Sequence, residues 1–141
     1  MTFKYLDNIA TADAAFEVEA PDLSQLFQEA AEATFAIMAD LSAIKPASHK
    51  AVKLSADKID QLLFDWLSEL VYLKDKDKII FSQFEVDIKK NKEYKLIAKV
   101  WGEPIDLTKQ DLKADVKAIT YYQFKVEQRG AGWYAMIVVD I

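Results

Sequence analysis

Two acids close the chain's last apolar run, where Met136-Ile137-Val138-Val139 is followed by Asp140 and Ile141. A strand carried to Ile141 would fix a main-chain carboxylate in space, with the Asp140 carboxylate one residue away. Hard oxygens concentrated in this way suit calcium or a similar hard cation. A frayed terminus is the plain alternative. Asp13, in Ala10-Thr11-Ala12-Asp13, stands just before a strand. It either turns the chain, the usual job of such an Asp, or supplies a third oxygen ligand. Lys117 heads Ala118-Ile119-Thr120-Tyr121 and, on a period of two, shares a face with Ile119 and Tyr121. There its stem snorkels along apolar neighbours, or its ammonium meets a carboxylate or a phosphate. Asp65 and Glu69 are four apart on an expected helix and so share a face, a pattern more common on solvated helix surfaces than among paired catalytic acids.

Other chemistries lack their residues. The 141-residue chain has no cysteine, which removes disulfides, thiolate metal sites and cysteine nucleophiles. Neither a G-x-x-x-x-G-K loop nor a G-x-G-x-x-G loop is present to cradle phosphates. The one histidine, His49, follows Pro46 in an expected loop and reads as a surface residue; alone it makes neither a histidine metal site nor a Ser-His-Asp triad. The aromatic-and-basic pattern of an RNA-recognition sheet is not evident. A net charge of −5, with Arg129 the one arginine beside 17 lysines, makes a poor phosphate-reading set. RNA is therefore expected to reach this protein only through a partner.

These residues need elements to position them. The length and the 52% hydrophobic content suit one domain over residues 1–141 with a sizeable core. The start of the chain lacks the apolar stretch of a signal peptide, and no run approaches a membrane span; a cytoplasmic protein is expected. Short strands are expected at Phe3 to Tyr5 and Ala14 to Ala20, the latter alternating Phe16 and Val18 with Glu17 and Glu19. Asp22 caps a helix whose stripe is Leu23, Leu26, Phe27, Ala30, Ala31, Thr34, Phe35 and Met38. A short strand at Ala51 to Leu54 precedes a second helix, capped by Ser55 and running to about Leu73. Its stripe includes Leu62, Leu63, Trp66, Leu67 and Leu70, and Trp66 and Trp133 read as core or interface anchors. The charged Lys74 to Lys78 stretch reads as a loop. Ile79 to Ile88 and Tyr94 to Val100 form a hairpin around Lys89 to Lys92. Glu103 to Asp115 is polar, with room for a helical turn. Lys117 to Val126 and Trp133 to Ile141 form a second hairpin. The sum is an α+β fold: an antiparallel or mixed β-sheet with two amphipathic helices packed on it.

At its two ends the sequence resembles the archease family. Lys117-Ala118-Ile119-Thr120-Tyr121 and the closing Asp140-Ile141 are similar to that family's Lys-Ala-Ile-Thr-Tyr and Asp-Ile, and Thr11-Ala12-Asp13 to its Thr-Ala-Asp. Leu62 to Leu70 and Gly102-Glu103 are similar to its second helix and Gly-Glu segment, so the likeness runs the length of the chain. The resemblance implies an archease-like fold and a non-enzymatic accessory protein. Such a protein activates an RtcB-type RNA ligase in tRNA splicing and RNA repair by promoting its guanylylation and multiple turnover. It also implies a divalent metal, calcium, held by Asp13, Asp140 and a main-chain oxygen of Ile141, and it makes Lys117 a candidate for partner activation. The family's histidine before Thr-Ala-Asp is missing, and Asn8-Ile9-Ala10 lengthens the segment, so Asp7 competes with Asp13. Asp13 keeps both the triplet and the spacing to the next strand. Two other readings compete with this one. A chaperone-like or adaptor protein for other clients would need an exposed apolar surface. A metal-dependent hydrolase would need an open coordination position, and no general base is evident for it.

Overall fold

The structure, a computed structural model, describes residues 2–6 and 13–141. Seven strands and two helices follow in the order β1 (Thr2–Leu6), β2 (Asp13–Ala20), α1 (Leu23–Ala36), β3 (Ser48–Ala56), α2 (Ile59–Asp77), β4 (Ile79–Lys90), β5 (Tyr94–Pro104), β6 (Ala118–Arg129) and β7 (Gly132–Asp140). The strands divide into two wholly antiparallel sheets, ordered β1-β2-β7-β6 and β3-β5-β4. This is the expected α+β class, with the strands shared between two sheets.

Both helices touch both sheets: α1 packs on β1, β2 and β7 and on β4, and α2 on β6 and on β3, β4 and β5. One apolar cluster runs through all of them, with Phe16, Phe27, Phe35, Trp66 and Phe81 fully buried. Each such side chain contributes roughly 1.5–3 kcal/mol by leaving water. Trp66 also donates from its indole nitrogen to the Phe27 carbonyl at 3.0 Å, which joins α2 to α1. Asp22 caps α1 as expected, accepting from Gln25 N at 2.8 Å. On the same helix Gln28 Oε1 accepts from Val86 N and Ser24 Oγ from Ile88 N, so α1 closes the outer edge of β4. No helix among the described residues is long and apolar enough to cross a membrane.

Three local expectations fail, each for a physical reason. Ser55 does not cap α2: it lies in β3 opposite Lys95, where ladder hydrogen bonds outcompete a cap. The helix starts at Ile59, its N-cap Lys58 makes no side-chain bond, and Asp60 supplies the negative charge of the first turn. His49 accordingly sits exposed on β3, not in a loop. The charged stretch from Lys74 to Asp77 is the last turn of α2, and Lys78, at φ 55, ends the helix in the left-handed region. Glu103 to Asp115 does hold the one turn it had room for: the Gln110 amide donates to the Asp106 carbonyl at 2.9 Å, between the end of β5 at Pro104 and the isolated bridge of Leu112 to Ala39.

Candidate functional site

The site lies at one end of the β1-β2-β7-β6 sheet. Asp13 opens β2 and Asp140 closes β7, and the register sets them directly opposite one another. Asp140 also stands opposite Ala118 on its other side, and its carbonyl accepts from Lys117 N at 2.8 Å. Cross-strand partners point to the same face with Cβ atoms about 5 Å apart. The two carboxylates therefore project together, away from the helix-covered core, because the alternate residues Phe16, Ile137 and Val139 belong to the core cluster. Both acids are partly exposed. Among the described residues neither has a cation at ion-pair distance.

Ile141 turns its side chain onto the core, which leaves its main-chain oxygens as the donors it can offer. Two carboxylates that act only as acceptors, next to main-chain oxygen, match the donor set of a hard divalent cation, with water completing the shell. The described residues contain no cluster of three or more His, Asp or Glu side chains. Among the described residues, main-chain oxygen is what remains to stand beside the two carboxylates. Asp7, with Thr11 and Ala12 of the triplet, falls outside the described residues.

Lys117 is near in the backbone and apart in direction. It precedes β6, is exposed, and lines a cleft of about 220 Å³ with Ser68, Tyr72 and Asp75 of α2. Its alternation places it on the helix side of the sheet, opposite to the acid pair. The expected shared face with Ile119 and Tyr121 holds, since Ile119 lines the same cleft and Tyr121 stacks on Phe64 of α2. Between Thr120 and Lys125 the β6–β7 register shifts, so that Tyr121 to Phe124 stand opposite Ile137 alone, and Gln123 takes φ 52. Ile119 is buried under α2, and Tyr121, 67% exposed at the rim of the same face, stacks on Phe64 of that helix at 3.9 Å. Bulges of this kind re-aim side chains beside functional sites.

Asp65 accepts from Gln61 Nε2 at 2.8 Å, an ordinary pair on the helix surface. Trp133 packs against the core cluster. The residue that charge density concealed is Lys74. Its side chain is 2% exposed, and its ammonium donates to Asp115 Oδ1 at 2.5 Å, to Val116 O at 3.0 Å and to Asp75 Oδ1 at 2.9 Å. These bonds hold the segment that leads directly into Lys117 and Ala118. Its helical spacing was the available signal: Lys74 lies four residues after Leu70 and continues the buried stripe of α2.

Two carboxyl groups elsewhere are also displaced. Burial raises Glu29 on α1 to about 7, with Glu32 adding repulsion, and Glu29 Oε2 has no hydrogen-bond partner among the described residues. Burial raises Glu32 as well.

Known proteins share this arrangement of elements and motifs. The family described as "Archease protein family (MTH1598/TM1083)" matches residues 3–141. Protein archease of Methanosarcina barkeri is 36% identical over 141 residues, covering 99% of this chain and 95% of the relative. That of Methanopyrus kandleri is 38% identical over 132 residues, covering 93% and 94%. The solution structure of Methanobacterium thermoautotrophicum protein 1598 superimposes with a TM-score of 0.87 at 31% identity, covering 99% of this chain and 98% of that one. The crystal structure of a Thermotoga maritima archease, described as a possible chaperone, matches in fold alone, with a TM-score of 0.65 at 19% identity over 94% and 93% of the two chains. With the family model spanning nearly the whole chain and relatives above 30% identity across it, this chain belongs to the archease family.

Proposed function

We propose that this chain is a non-enzymatic, cytoplasmic accessory protein that activates an RtcB-type RNA ligase, promoting its guanylylation and multiple turnover. The observation that carries the reading is the Asp13–Asp140 pair, facing across neighbouring strands with no cation at ion-pair distance among the described residues. In this reading a divalent cation, calcium, is held by Asp13, Asp140 and an Ile141 main-chain oxygen. Bound there, it would neutralise the two carboxylates and give this sheet end a positive centre to present to the ligase. Lys117 serves partner contact from the α2 side of the same sheet end. The missing phosphate-binding loops support leaving nucleotide and catalytic chemistry to the ligase.

The test is ligation by the cognate ligase under multiple turnover, with GTP and manganese, adding wild type or Asp140→Ala. Stimulation by wild type and its loss in the folded variant are expected. Equal stimulation by both would remove the acid pair from the activity. No stimulation of an active ligase would sink the activator reading. An adaptor or chaperone-like role is the second reading. The exposed Tyr72, Leu107, Tyr121 and Tyr122 favour it, since they are large apolar groups open to a protein partner.

A further inference from the structure

We propose that the open face of the β3-β5-β4 sheet binds a single strand of RNA along β3 and β5. The inference goes beyond the accessory role and departs from the expectation that RNA reaches this protein only through a partner, because the register gathers on one face lysines that the overall charge conceals; only the choice of RNA over DNA rests on the accessory reading. One face of this sheet packs on the core, through Val52, Phe84, Val86, Leu96, Ala98 and Val100. On the other face the alternate residues meet solvent. The register puts Lys53 directly opposite Ile97, with Lys95 and Lys99 two residues to either side on β5 and Trp101 beyond. Ile97 is 57% exposed and Trp101 is partly exposed, with the Lys99 ammonium 5.9 Å from its ring centre.

The charge pattern departs from the rest of the molecule. The chain carries a net −5, yet Lys53, Lys95 and Lys99 have no carboxylate at ion-pair distance among the described residues. Lys53, Lys95 and Ile97 also line a depression of about 490 Å³, room enough for a base, with Glu93 as the one carboxylate in its lining. Along β5, Ile97 and Trp101 are four residues apart, about 13 Å, a span of about two nucleotides. Ammonium groups alternating with the Ile97 side chain and the flat Trp101 ring match the alternation of phosphate and base in an unpaired strand.

A duplex would hide its base faces from Ile97 and Trp101. Two apolar side chains are too few for the core of a stable protein interface. Glu85 and Asp87 on β4, opposite Lys99 and Ile97, repel phosphates and confine the strand to the β3 side.

The test is a titration of the full chain, without ligase, into fluorescein-labelled oligouridine RNA, read by anisotropy at low salt. Saturable binding is expected, with log affinity falling against log salt at a slope of about −2 for three neutralised phosphates. Tryptophan emission should be quenched in wild type and not in Trp101→Phe, since Trp66 is fully buried and Trp133 lies on the other sheet. The double variant K53E/K99E should bind about tenfold more weakly. D87K, which adds a cation to the same row, should bind about threefold more tightly, an outcome misfolding cannot produce. The proposal is overturned by absence of binding at low salt, by K53E/K99E binding like wild type, or by duplex RNA or oligothymidine DNA binding better than the RNA strand. Ligase guanylylation consumes no RNA and is scored in parallel, so failure of the activator reading shows there and failure of this face shows in the titration.

Discussion

Replacing Lys74 by alanine and by methionine separates what its stem contributes from what its charge contributes. The side chain is 2% exposed, so alanine removes three buried methylenes, about 2–2.5 kcal/mol at ~0.8 kcal/mol each. It also leaves the Val116 carbonyl without its donor, about 1 kcal/mol more. The two carboxylates are a different matter. Asp75 is 57% exposed and Asp115 63%, so both rehydrate once the ammonium is gone. The heavy cost of stranding a buried charge therefore does not arise. The sum is about 3 kcal/mol for Lys74→Ala. Methionine keeps most of the stem and removes the ammonium together with its desolvation cost, so Lys74→Met should lose about 1 kcal/mol or less. Urea unfolding with unchanged m-values reads both numbers. Hydrogen exchange adds a local readout: the Lys117 amide, bonded to Asp140 O, should exchange faster in Lys74→Met although global stability is nearly kept. Equal losses for the two variants would mean that the charge dominates. An alanine cost under ~1 kcal/mol would mean that the side chain is not buried in solution. Either result refutes the reasoning.

Two further perturbations have signed outcomes. Glu29 has its folded-state value raised to about 7 from 4.5 by burial, so the folded chain holds its proton more tightly than the unfolded chain. Its contribution is complete below about pH 4.5 and is lost as pH rises through 7. Wild type should lose about 1–2 kcal/mol between pH 5 and pH 8, and Glu29→Gln should abolish most of that slope in urea titrations at the two pH values. Gly102 pairs with β3 and β4, and a Cβ there would lie 2.0 Å from the Ile80 carbonyl oxygen. Gly102→Ala should thus cost about 2–4 kcal/mol, against about 1 kcal/mol for Gly130→Ala, where only the φ of +58 resists and no atom is within 4 Å; comparison of melting temperatures ranks the two.

Which elements could be read from sequence follows from the range of the forces that form them. Phe84, Val86 and Ile88, and Leu96, Ala98 and Val100, alternate because one face of each strand packs on the core and the other meets water. That pattern is local, and so is the Asp22 cap. The end of α2 misled because Lys74-Asp75-Lys76-Asp77 looks solvated by composition, while the partners that bury Lys74 lie on a distant segment. The β6 bulge leaves no trace in the alternation, since it is defined by what β7 does opposite it. The site was legible only in part. Spacing showed oxygens near Ile141 and an acid before β2, but nothing in either segment says that Asp13 faces Asp140. The likeness to archeases supplied that pairing, and the register places the two opposite one another.

The pairing is also the least comfortable feature of the sheet. Like charges directly opposite on antiparallel strands destabilise, by up to about 1 kcal/mol. A single Asn at either position would relieve the cost. The fold is able to hold the pair because β7 is anchored on both sides: Ala135, Ile137 and Val139 lie in the core, β2 and β6 pair along its edges, and the Asp140 carbonyl takes the Lys117 amide. Lys74 fixes the approach to Lys117 from α2. The strand end is thus over-determined by apolar packing and hydrogen bonds before the carboxylates are considered. Rigidity of this kind would suit the proposed cation site, where ligands held in place lose little freedom on binding. It would serve no purpose at a frayed terminus, and that contrast is the physical reason to place function at this end of the sheet.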